Sequence, residues 1–108
     1  MPKKFLPAAA LPTLVQERLR IWGSCIRKQR ILQRIRIEDL CARIGVSDPT
    51  LRRMESGDPR SSVGLYLSAL YVLGVLDAVV PPPPAALWGE ISRRRARPAA
   101  SEAGEDDF

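Results

Sequence analysis

Residues Ile35 to Pro59 read IRIEDLCARIGVSDPTLRRMESGDP, and the spacing of their apolar residues decides the fold. Leu40 and Ile44 recur four apart, Gly45 follows as a stop, and Leu51 and Met54 recur three apart beyond it. This predicts two short helices, each with one buried face, joined by a single tight turn. The outer face of the second carries Asp48, Thr50, Arg52 and Arg53. Such residue types reach phosphates and base edges when a helix lies in a major groove, so the stretch implies DNA binding.

The start of the second helix turns on Pro49. Ser47 and Asp48 are both suited to cap it. A residue before proline avoids the helical region, so Asp48 is the expected cap and Pro49 the expected first helical residue.

Working outward, Val15, Leu19, Trp22 and Ile26 alternate by four, three and four and form one apolar stripe on a long first helix, with Thr13 as its expected cap. Arg18, Arg20, Arg27, Lys28 and Arg34 lie largely off that stripe, on a solvated face. On the other side, Ser61 or Ser62 opens a helix that runs to Leu73, with Gly74 as a left-handed stop. Residues 76–80, LDAVV, suit either a short helix or a strand. Pro81 to Pro84 then impose an extended spacer, because proline fixes its own backbone angle and disfavours helix in its predecessor. The expected organisation is a flexible arm over 1–12, a DNA-binding domain over 13–80, and a proline spacer with a disordered tail over 81–108. Within that tail Leu87, Trp88 and Ile91 are spaced to form one face of a short helix on a protein partner, with a merely solubilising tail as the alternative.

Composition narrows the function. The chain has 108 residues, enough for one small domain with tails, and a formal net charge of +5 from 17 basic and 12 acidic residues. Most of the basic residues are arginine, whose planar fork matches phosphate, so the balance favours an anionic partner. There is no histidine, no glycine-rich phosphate loop, no paired-carboxylate spacing and no nucleophile elbow, so the chain does not read as an enzyme. Cys25 and Cys41 stand apart with no metal-ligand spacing, so neither a metal nor a cofactor is expected, and a reduced, cytoplasmic protein is. The uncharged run from Val63 to Leu76 is shorter than the ~20 residues that cross a bilayer and reads as a core helix.

Four motifs in order, WGSCIRKQR, IEDLCARIG, SDPTLRRMESG and SSVGLYLSALYVLGVLDAV, resemble successive helices of the Xre/Cro-type helix-turn-helix of lambdoid phage repressors. They are more similar still to the HipB-like antitoxins encoded with HipA-type kinases, over Trp22 to Asp77. The resemblance implies an all-α, compact, lambda-repressor-like domain of four to five helices. It also implies a homodimer on a double-stranded DNA operator, in which residues 75–80 help form the dimer, sometimes by pairing strands. Its finer implication is a repressor that doubles as the antitoxin of a HipA-like kinase.

Residue by residue, the positions matching Asp48, Pro49 and Arg53 reach base edges in phage repressors. Here proline offers only apolar contact and aspartate accepts from a cytosine amine but repels phosphate, which leaves Arg53 as the best base reader. Thr50 and Arg52, with the Ser47 hydroxyl, flank it as phosphate contacts. Relatives usually carry glutamine where this chain has Ile37, and Arg36 is the substitute for that backbone contact. Arg30 and Glu55 match an internal salt bridge, and Cys41 matches a small packing residue between helices. The competing reading keeps the fold but makes it a protein-interaction module with little or no DNA binding.

Overall fold

A computed structural model describes residues 10–91. The fold is all-helical there: α1 (Thr13–Leu32), α2 (Ile37–Ile44), α3 (Asp48–Glu55), α4 (Val63–Val72) and a single-turn α5 (Leu76–Val79). Residues 76–80 therefore resolve as a helical turn and not a strand. A 3-10 turn, Ala85–Leu87, follows the prolines. Most of the expected arm (1–9) and the basic run Arg93 to Arg97 lie outside the described residues.

Helix α1 begins one residue earlier than its hydroxyl predicts. The Pro12 carbonyl already accepts from the Val15 and Gln16 amides at 3.0 and 3.1 Å, so Pro12 is the cap and Thr13 falls inside the helix. Gln16 ties down the entering chain instead, its Nε2 donating to the Leu11 carbonyl at 2.9 Å. The apolar stripe is also shorter than its spacing suggests. Ile26 is fully buried and Leu19 and Trp22 pack on the core, but Val15 is exposed. The backbone of α1 passes close to Gly57 at Leu19 and Arg20.

The crossing of α1 over α3 depends on Gly23. A Cβ there would collide with the Met54 carbonyl oxygen and stand 2.7 Å from that of Glu55. Only glycine lets the two backbones approach so closely. Beyond α1, the Gln33 side chain donates to the Leu73 carbonyl at 2.8 Å, joining the ends of α1 and α4.

Gly45 adopts φ +73°, the left-handed conformation that its place at the end of α2 predicts, and the Val46 amide returns to the Cys41 carbonyl at 3.0 Å. Of the two candidate serines, Ser62 caps α4, accepting from the Leu65 amide at 3.2 Å. The helices enclose one core of Ile26, Leu40, Cys41, Leu51, Met54, Tyr66, Ala69, Leu70 and Leu73. Fully burying a side chain such as Leu51 or Leu70 stabilises the fold by about 1.5–3 kcal/mol.

Candidate nucleic-acid interface

The turn between α2 and α3 sets the direction in which α3 presents its side chains. Ser47, not Asp48, caps α3: its backbone is extended (ψ 163°) and its Oγ accepts from the Thr50 amide at 3.4 Å. Asp48 is helical despite preceding Pro49, which corrects the expectation of a later start. Two contacts outweigh the pre-proline preference. The Asp48 carboxylate sits at the positive end of the α3 dipole, and its Oδ1 accepts from the Cys41 thiol at 3.5 Å. Pro49 loses nothing at the second helical position, where the amide has no partner within the helix.

With that start, the outer face of α3 is ordered by its own side chains. Ser47 Oγ and Thr50 Oγ1 lie 3.1 Å apart, and Arg53 Nη2 donates to Thr50 Oγ1 at 3.3 Å. Arg52 is exposed on the same helix, as is Pro49. Asp48 is the member drawn aside, toward Cys41 and α2. Burial, chiefly, and the Asp48 hydrogen bond push the Cys41 thiol above its ordinary range, so it is an inert packing group.

Arg36 stands at the cap position of α2, with Nε 3.8 Å from Glu38 and 4.0 Å from Asp39, all three exposed. Such contacts bind weakly and leave the guanidinium available. Ile37, beside it, packs against the core.

Behind α3, Arg30 and Glu55 form a two-pronged ion pair: Nε to Oε2 at 2.7 Å and Nη2 to Oε1 at 3.2 Å. The same guanidinium donates to the Ile35 carbonyl at 3.2 Å. The pair joins α1 to the last turn of α3. Its Glu55 hydrogen bond, above all, raises the Arg30 pKa.

Two residues that the sequence pattern did not single out belong to this surface. Asp58 and Arg60 lie in the loop from α3 to α4, and Arg60 joins Thr50, Arg53, Ser61, Ser62 and Leu65 around a cleft of about 410 Å³. In the sequence, GDPR reads only as a turn. Farther along, Leu87, Trp88 and Ile91 are all exposed. Trp88 folds back on the spacer, its indole Nε1 donating to the Pro83 carbonyl at 2.9 Å, which leaves the ring faces free.

α2 and α3 thus form a pair of short helices, each with one buried and one outer face, with a left-handed glycine between them and arginines along the second. Residues 26–67 match the helix-turn-helix family model. The match starts in α1 at the first fully buried core residue, contains α2 and α3 whole, and ends within α4. It supports a DNA-binding transcriptional regulator. No curated protein and no solved structure matches the chain. Among the described residues no helix is long and apolar enough to cross a membrane.

Proposed function

We propose that the protein is a sequence-specific transcriptional repressor that binds a double-stranded DNA operator as a homodimer. The observation that carries this reading is the coincidence of the helix-turn-helix match with an α3 whose outer face presents Thr50, Arg52 and Arg53. Arg53 reads a base edge, most simply guanine through both its terminal nitrogens. Ser47, Thr50, Arg52 and, from α2, Arg36 hold the phosphates. Asp48 and Pro49 limit what the first turn of α3 accepts. A single module of this kind makes few contacts, and two related by a two-fold axis would read half-sites ~34 Å apart. Exposed Leu14, Ile21, Ile31, Leu32 and Tyr71 supply apolar surface for that association.

Binding titrations over a salt series test the assignment. Arg53→Ala is expected to cost ~1–3 kcal/mol on the preferred sequence and to relax preference at one base pair. Arg52→Ala is expected to weaken all sequences alike and to lower the salt slope by about one. Equal losses for both variants on preferred and random DNA would remove Arg53 as the base reader.

The finer proposal is that this repressor is also the antitoxin of a HipA-like kinase. Its support is the resemblance of the motifs over Trp22 to Asp77 and the exposed Leu87, Trp88 and Ile91, which offer an apolar anchor beyond a stiff spacer. The alternative, a protein-interaction module on this fold, draws on Ile37, which packs on the core where a DNA contact would need a polar side chain. Calorimetry against a co-purifying kinase separates the two roles: Trp88→Ala should weaken that complex by ~2 kcal/mol or more while DNA affinity is unchanged.

A further inference from the structure

Asp58 is an acid on a surface read as binding a polyanion, and charge alone would exclude it. Its side chain is only 11% exposed, whereas Arg53 beside it is 52% and Arg60 68% exposed. Asp58 Oδ1 accepts from the Arg60 backbone amide at 2.8 Å and from Arg60 Nε at 3.3 Å, and Oδ2 accepts from Arg60 Nη2 at 3.3 Å. Arg53 Nε lies 4.0 Å from the same Oδ2. One carboxylate is thus shared by an arginine of α3 and an arginine of the following loop.

The carboxylate is itself held from behind. The Asp58 amide donates to the Arg53 carbonyl at 3.0 Å, and its carbonyl accepts from the Ser61 amide at 3.2 Å and from the buried Tyr66 hydroxyl at 2.8 Å. Tyr66 is part of the core, so the loop is anchored to the most rigid part of the domain. Arg60 chiefly, through its hydrogen bonds, keeps the Asp58 carboxyl below the usual range, so it is ionised at neutral pH.

Resting on the DNA-binding reading above, we infer that Asp58 is a positioning residue of the interface. Its carboxylate holds the Arg53 and Arg60 forks side by side on the rim of the cleft between α3 and the start of α4, so that both meet the duplex in one register. Two guanidinium groups brought to one cleft repel each other, and each has a long side chain whose freedom is lost on binding. A shared anion between them offsets the repulsion and orders both side chains before DNA arrives.

Electrostatics and positioning predict opposite signs for Asp58→Asn. Removing a negative charge from the surface strengthens binding to every sequence, whereas releasing the two arginines weakens binding to the preferred one. The probe is double-stranded DNA enriched from a random pool by the wild-type chain, with its scrambled sequence as control. If Asp58 positions the arginines, Asp58→Asn loses roughly tenfold or more on the enriched DNA, the scale of one two-pronged arginine contact, and nothing on the scrambled DNA. The loss should shrink in an Arg53→Ala background, because the effect runs through Arg53. Thermal melting confirms that the variant is folded. Unchanged or tighter binding to both DNAs overturns the inference. Should the variant fail to fold, 15N relaxation of the arginine Nε groups in the wild-type protein decides the matter without DNA. Arg53 and Arg60 should be ordered relative to Arg52, and equal mobility of all three overturns the inference. A pool from which nothing is enriched removes the DNA reading and this role with it, whereas enriched DNA that binds the variant undiminished removes only the role of Asp58.

Discussion

Replacing Glu55 with alanine should act on folding and not on DNA contact. The carboxylate receives two donors from Arg30, at 2.7 and 3.2 Å, and the side chains are 11% and 7% exposed. Removing it leaves a nearly buried guanidinium with the Ile35 carbonyl at 3.2 Å. Stranding one member of a buried pair costs about 3–5 kcal/mol, and the remaining carbonyl contact places this case near the lower end. A domain of this size loses about 4–8 °C in Tm per kcal/mol, so the expected drop is on the order of 12 °C or more. Circular dichroism melts without DNA measure it. Glu55→Gln should lose less, because an amide oxygen still accepts from Arg30. The double variant Arg30→Met, Glu55→Leu should recover part of the loss, since an apolar pair leaves no stranded charge. A drop under about 4 °C for Glu55→Ala would show a pair no stronger than an exposed one and would refute the reasoning.

Three further outcomes follow from the packing. Gly23→Ala should destabilise the domain by about 1–3 kcal/mol in urea unfolding, although alanine is the better helix former, because its Cβ meets the carbonyls that end α3. Tyr66, pushed up to about 12 by burial, keeps its proton in the fold where the unfolded chain loses it, so stability should fall as pH rises from about 10 to 12. Tyr66→Phe should reduce that alkaline slope to the share left by the Cys41 thiol while costing about 1–3 kcal/mol at neutral pH, read by melting, because the Asp58 carbonyl loses its hydroxyl donor. Deleting residues 85–108 should leave the melting temperature and preferred-sequence binding in place apart from the electrostatic share of Arg93 to Arg97, which a salt series isolates.

The fold was legible because its signals are local. Leu40, Ile44, Leu51 and Met54 repeat at helical spacing, and Gly45 stands where only a left-handed residue closes the turn. The caps were less so. Asp48 is the better cap by the pre-proline rule, yet the Cys41 contact and the helix dipole keep it inside α3 and leave Ser47 to cap. Thr13 lost its expected place to a carbonyl, that of Pro12, which carries no side-chain signature. Gly23 reads as a weak point in α1 until the α3 crossing shows why nothing larger fits. The Asp58 cluster was invisible because it depends on how the loop after α3 folds back toward Arg53, and GDPR states only that the chain turns.

Helix α3 is eight residues long and buries only Leu51 and Met54. A helix this short does not hold its shape alone in water. Its aim must therefore come from what grips it at both ends. At the start are the Ser47 cap and the Asp48 contact with Cys41; at the finish are Glu55 on Arg30 and the close pass beneath Gly23. These grips alternate along the helix with the outward residues Thr50, Arg52 and Arg53. Because the two sets share a backbone but not a face, losses at Glu55 should appear as unfolding and losses at Arg53 as relaxed base preference. Asp58 stands between them, joined to the core through its carbonyl and to the outer face through its carboxylate. It is therefore the position where a surface charge change should alter recognition without touching DNA.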